Sequence, residues 1–165
     1  MDQIYTHPKR KTKVVFVQLG SPSEPTTKAL RKYLRKFLGD PRVVDINPWL
    51  WKIILNFFVL PFRPKKSAKL YARIWDGKSF PLITNTKNFT NNVRKELKKI
   101  DPNGHVEVNH AFLLSPPYVN EVYDSWEDDL KRGIGATKLL VIPMFPQYSE
   151  STIASGIDAL AKELS

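Results

Sequence analysis

The sequence predicts an α/β domain whose parallel sheet is flanked by helices. Apolar runs at 13–19, 106–114 and 138–142 read as strands, and the segments between them place apolar residues at helical spacing. Gly and Pro punctuate the joints. KVVFVQL, Lys13 to Leu19, is a buried first strand, and Gly20-Ser21-Pro22 turns the chain out of it. Thr26 or Thr27 caps a helix through Leu38, which Gly39-Asp40-Pro41 ends. Val43 to Ile46 reads as short and extended. Pro48 opens an aromatic segment through Phe62, Arg63-Pro64 breaks it, and Lys65 to Trp75 is helical. After the turn at Asp76-Gly77-Lys78, Pro81 starts a helix to about Ile100, capped by Ser79 and closed by Asp101 to Gly104. Val106 to Leu114 is the second strand, Tyr118 to Arg132 an acidic amphipathic helix, Lys138 to Ile142 the third strand, and a last helix begins near Ser151. No repeat, low-complexity tract or linker divides the chain, so 1–165 is read as one domain. The pattern stops inside an amphipathic stretch without a stop signal, and the chain is expected to be cut there.

Composition narrows the function classes without choosing one. The chain has 165 residues, 42% of them hydrophobic, and no Cys. That apolar fraction supports a real core and rules out whole-chain disorder. Without Cys there is no disulfide scaffold, thiolate metal site, CxxC redox pair or Cys nucleophile, which fits a reducing compartment. No apolar stretch with a cleavage site follows the basic N-terminal cluster, so a secretory signal is not expected. The greasiest segment, WLWKIILNFFVLPF from Trp49 to Phe62, falls short of the ~20 apolar residues of a spanning helix. The net charge of +10 suits nucleic acid, anionic lipid or an anionic small molecule alike.

Two strand-to-helix corners attract chemistry, since ligands of open parallel sheets collect beyond the carboxyl ends of strands. Gly20-Ser21-Pro22 is one. It matches neither a dinucleotide fingerprint nor a phosphate-cradling loop. Gln147 to Thr152 is the other, and its hydroxyls and amide either cap the following helix or donate to a bound group.

Four segments together resemble the first half of a bacterial ferrochelatase. They are KTKVVFVQLGSP (11–22), LRKFLGDPRVVD (34–45), AKLYARIW (68–75) and IPMFPQYSEST (142–152). The order and spacing match over nearly the whole chain, and FPQYSEST is the most specific stretch. The resemblance implies two Rossmann-like, chelatase-type halves in three layers, and insertion of ferrous iron into a porphyrin such as protoporphyrin IX for haem synthesis. In that chemistry a base accepts the pyrrole protons and cations meet the propionates. The family's catalytic His and its opposing carboxylate belong to the second half. This chain is therefore expected to lack catalytic and metal-binding residues and any cofactor of its own, iron being the substrate of the complete enzyme.

The chain's own residues agree with that expectation. None of His7, His105 and His110 sits in a Ser-x-His-x-x-Pro context; His7 lies in a tail, His105 in a turn, and His110 in a strand as a satisfied structural residue. Glu121, Asp124 and Asp128 share a helix face that reads as solvated. Two stretches depart from the family pattern. Phe112-Leu113-Leu114-Ser115 replaces an Arg-Tyr or Ser-Tyr-Gly type sequence, and Phe80 stands where the family has Ser, with Ser79 one place away.

The substrate-binding residues expected from the resemblance are Ser21, Arg63, Tyr71, Gln147, Tyr148, Ser149, Ser151 and Thr152, with Arg63 placed to pair with a propionate. Trp49 to Phe62 corresponds to the lip of the pocket, which lines the porphyrin entrance or rests on a membrane, against the plainer reading of a core helix. The expected setting is cytoplasmic with peripheral membrane contact. One alternative is a non-catalytic tetrapyrrole-binding protein or a half-length, self-associating chelatase. A nucleic-acid module is disfavoured because the cations are dispersed and no reader motif appears.

Overall fold

A computed structural model describes residues 11–147, 149, 152, 154, 158 and 161. Three parallel strands form one sheet in the order β2-β1-β3, namely β1 (Thr12–Gln18), β2 (Val106–Phe112) and β3 (Lys138–Pro143). Thr12 pairs with Val106 on one side and Lys138 on the other, and the register runs on to Gln18 opposite Phe112 and Val17 opposite Pro143. The central strand is buried along its length, as a continuous β-branched run must be when both faces are covered. Even Lys13 is buried, with its ammonium 3.7 Å from the Glu107 carboxylate.

Helices cover the two faces. Val14, Phe16 and Val108 point to one side and meet Val93 and Leu97 of α4 (Pro81–Ile100). Val15, Val17 and Ala111 point to the other and meet Val119 and Val122 of α5 (Val119–Lys131). This alternation is the period-2 rule of a strand, and it yields a three-layer α/β domain. Thr86 and Thr90, buried in α4, return their hydroxyls to the carbonyls of Leu82 and Thr86 at 2.8 Å each, so neither is orphaned. On the outer edge of β2 the Arg94 guanidinium donates to the Val108 carbonyl at 2.6 Å and to Asn109 Oδ1 at 2.8 Å.

A second core sits beside the sheet. In α1 (Thr27–Leu38) the helical stripe Leu30, Tyr33, Leu34 and Leu38 is buried, and the Thr26 hydroxyl caps the helix by accepting from Ala29 N at 3.2 Å. Each large apolar side chain so buried contributes roughly 1.5–3 kcal/mol. Tyr33, Leu34 and Leu38 meet Leu55 and Leu60 from the aromatic segment. That segment begins as α2 (Pro48–Ile54), with Asn47 Oδ1 accepting from Trp49 N and Leu50 N, and continues as a π-helical turn at Leu55–Val59. Trp51 fastens it by donating from Nε1 to the Leu38 carbonyl at 2.6 Å. The helix α3 (Arg63–Tyr71) follows and packs on α1, ending in a 3-10 turn at Ala72–Ile74.

Several sequence expectations need correcting. Val43 to Ile46 is not extended: Val43 and Val44 both donate to the Asp40 carbonyl and close a turn. Arg63-Pro64 does not break a helix but starts α3, because Pro is accommodated in a first turn where its missing N–H has no helical partner. Ser79 does not cap α4. Phe80 takes the N-cap place without a side-chain bond, while the Ser79 N–H is committed to Asp76 Oδ1. The second strand ends at Phe112, and Tyr118 is the N-cap of α5, with its N–H donating to Glu121 Oε2 at 2.8 Å. The core-helix reading of Trp49 to Phe62 holds for one face only: Leu55 and Leu60 are buried, whereas Trp49 is 80% exposed, Phe57 70% and Phe62 72%. His110 is not satisfied: its buried Nδ1 has no partner among the described residues.

Candidate functional site

The strand order brings the two corners together. β1 is central and β3 lies directly beside it, so the loops leaving their carboxyl ends are neighbours. Gln18 links them. Its Nε2 donates to the Met144 carbonyl at 3.0 Å, its Oε1 accepts from Leu19 N at 3.0 Å, and Met144 N donates to the Val17 carbonyl at 2.8 Å. Sequence reasoning passed over Gln18. The signal was there, as a lone amide closing an otherwise apolar buried strand.

At the first corner Gly20 is buried with a φ of +93°, a conformation suited to glycine. Ser21 is buried beside it, and its N–H donates to Ser115 Oγ at 3.3 Å. Tyr33, another residue missed as functional, donates its hydroxyl to the Gly20 carbonyl at 3.4 Å. Burial pushes the Tyr33 phenol well above its ordinary pKa, and the neighbouring Tyr71 adds to that shift through its charge and a hydrogen bond. Tyr71 is half-buried, its ring 6.3 Å from Tyr33 and 5.4 Å from Phe80. Ser21, Tyr33 and Tyr71 thus form one connected group. Phe80 fills core space against Tyr71 and Trp75, with the Trp75 ring centroid 4.6 Å away.

The other expected residues are placed differently. Arg63 is exposed at the first position of α3, about 12 Å along the helix axis from Tyr71 at its end. At the second corner Gln147 is exposed and Ser149 half-buried. The Ser149 carbonyl accepts from Thr152 N at 3.2 Å, and the Thr152 hydroxyl donates to the same carbonyl at 3.3 Å, so Thr152 is used locally. Asp158, farther along that segment, holds the Arg42 guanidinium through both carboxylate oxygens. Tyr148, Ser151 and His7 lie outside the described residues.

The two departures are apolar and packed. Leu113 joins the cluster around Val15 and Val17, and Leu114 packs on the cluster around Tyr33 and Leu34. Glu121, Asp124 and Asp128 are exposed on α5. Among the described residues no group of His, Asp and Glu is arranged to hold a metal ion, and no helix is long and apolar enough to cross a membrane.

Comparison with known proteins adds an independent line. A family model described as Ferrochelatase matches residues 11–165. The ferrochelatase of Idiomarina loihiensis is 41% identical over 150 residues, covering 91% of this chain and 40% of that protein. Ferrochelatase 1 of Shewanella oneidensis is 40% identical over 159 residues, covering 96% and 46% respectively. The ferrochelatase of Herminiimonas arsenicoxydans is 42% identical over 160 residues, covering 96% and 41%. The chain spans less than half the length of the curated relatives it matches.

Proposed function

Since the chain belongs to the ferrochelatase family, we propose that it supplies the porphyrin-binding half of an enzyme that inserts ferrous iron into protoporphyrin, a lyase of haem synthesis. The observation that carries this reading is that the Gly20-Ser21 corner and the segment leaving β3 at Met144 lie side by side at the carboxyl ends of adjacent strands, joined through Gln18. A flat aromatic macrocycle needs a wall of apolar surface with a few fixed polar groups, and in this reading the corners supply the polar groups. In this reading Ser21, Tyr71, Gln147, Tyr148, Ser149, Ser151 and Thr152 line the cleft. Arg63, exposed beside Phe62, reaches a propionate as a charge-assisted donor. The proton acceptor and its opposing carboxylate come from a second half, so 1–165 acts as one domain of a larger catalytic unit and is inactive alone. Ferrous iron is a substrate, and this chain needs no cofactor.

The exposed aromatic segment supports a peripheral membrane role, and the setting in this reading is cytoplasmic. Trp49, Phe57 and Phe62 project from one stretch that contains Lys52 and is followed by Arg63, Lys65 and Lys66, the arrangement of an interfacial anchor. Nucleic acid is not a partner in this reading.

The test is a titration of the chain with protoporphyrin IX, followed by the Soret band and by quenching of the four Trp, with a mixed DNA duplex as control. Saturable porphyrin binding is expected, weakened about tenfold by Arg63→Ala through loss of a charge-assisted contact. Ser149→Leu should weaken it as well. Absence of binding up to the solubility limit, or a salt-sensitive shift with DNA alone, refutes the proposal.

A further inference from the structure

A cavity of about 160 Å³ opens beside Ser21, between α1 and the segment that joins β2 to α5. Ala29, Leu114 and the rings of Tyr33 and Tyr118 give it apolar walls, while Lys32 and Lys36 stand one helical turn apart on its rim. No Asp or Glu among the described residues lines it. Lys36 Nζ lies 3.9 Å from the centroid of the Tyr118 ring, which keeps that ammonium at the opening. Lys32 has no carboxylate partner among the described residues. Ser21 is only 7% exposed, and although its N–H is taken by Ser115, its hydroxyl has no partner among the described residues. That hydroxyl still touches solvent, so it can donate to a group that enters the cavity.

We infer that this cavity binds an organic carboxylate. The apolar arm lies against Leu114 and Tyr118, the carboxylate spans the two ammoniums, and one of its oxygens accepts from the Ser21 hydroxyl. A bare inorganic anion leaves the apolar walls uncovered, and a neutral alcohol leaves both lysines without a counter-charge. The shared chemistry is a carboxylate on a short hydrocarbon arm, carried either by a porphyrin or by a separate small acid. The inference rests on the cavity itself and does not require the porphyrin reading.

The experiment is calorimetric titration of the whole chain with 3-phenylpropionate, using 3-phenylpropanol and inorganic phosphate as comparisons. Saturable binding of the acid is expected, and the alcohol should bind about tenfold more weakly, the cost of losing one charge-assisted contact. The double variant Lys32→Gln, Lys36→Gln changes two exposed positions and should lower affinity by at least about as much. No binding of the acid, equal binding of the alcohol, tighter binding of phosphate, or an unchanged double variant each overturns the inference. If protoporphyrin IX displaces the acid, the site serves a porphyrin carboxylate; if the two bind together, it serves a separate acid. Porphyrin binding without acid binding overturns this inference alone, whereas the reverse overturns only the porphyrin reading.

Discussion

Gly20→Ala probes the first corner where it is tightest. A Cβ added there stands 2.4 Å from Ser115 Oγ, 3.1 Å from Phe112 Cβ and 3.2 Å from Ser115 N. Two costs follow. Holding an L-residue at a φ of +93° costs about 1–2 kcal/mol, and forcing a methyl into close-packed surroundings adds about 1–3 kcal/mol. Neither neighbour gives way freely, because Phe112 is fully buried and Ser115 is tied to the Ser21 N–H. The total of about 2–5 kcal/mol is a large part of the ~5–15 kcal/mol that holds a domain folded. Urea unfolding followed by Trp fluorescence and far-UV circular dichroism measures it. With a denaturant slope of about 2 kcal/mol/M, a loss of ~3 kcal/mol lowers the midpoint by ~1.5 M. Ser115→Ala removes the nearest atom, so in that background Gly20→Ala should cost about 1 kcal/mol less, a coupling that a double-mutant cycle isolates. A loss below about 1 kcal/mol, or strict additivity with Ser115→Ala, would refute the steric argument.

Three further outcomes follow from the same structure. Burial, then the charges of Arg94 and Lys87, lower the pKa of His110 in the folded chain. The unfolded ring titrates near 6.5, so stability is complete above that pH and declines as pH falls through the lower folded value. Urea midpoints at neutral and mildly acid pH should therefore converge in His110→Phe, and an unchanged gap sinks the assignment. Trp51→Phe deletes the 2.6 Å bond to the Leu38 carbonyl and should cost about 1 kcal/mol; thermal unfolding no lower than that of the parent contradicts it. Co-sedimentation with phosphatidylglycerol vesicles should drop for Trp49→Ser combined with Phe57→Ser, and equal recovery of variant and parent removes the membrane role.

The parts of the fold that the sequence announced are those set by local rules. The run at 13–19, the stripe Leu30, Tyr33, Leu34 and Leu38, and the Thr26 cap each need only neighbouring residues to be recognised. What escaped depends on partners distant in sequence. Arg63-Pro64 could stop one helix or start another, and the packing of α3 on α1 decides it. A hydroxyl at Ser79 is a reasonable cap, but the Asp76 carboxylate claims the Ser79 N–H and the turn places Phe80 at the cap. Of the candidate site, the corner loops were legible as strand ends, while the bonds that connect them were not. Gln18 and Tyr33 reach carbonyls at Met144 and Gly20, and spacing alone does not reveal where a side chain ends. Arg63 and Tyr71 both belong to the expected substrate-binding set, yet they occupy opposite ends of α3.

The central place of β1 has a consequence for biogenesis. Every ladder bond it makes goes to β2 or β3, which emerge from the ribosome about 95 and 125 positions later, roughly 5–19 and 6–25 seconds at ordinary elongation rates. Through that interval Val14, Val15, Phe16 and Val17 form a nascent β-prone run with no native neighbour to pair with. Such a segment is a natural client for a holding chaperone, and overexpression that outpaces chaperone supply should fail here first, by intermolecular strand pairing.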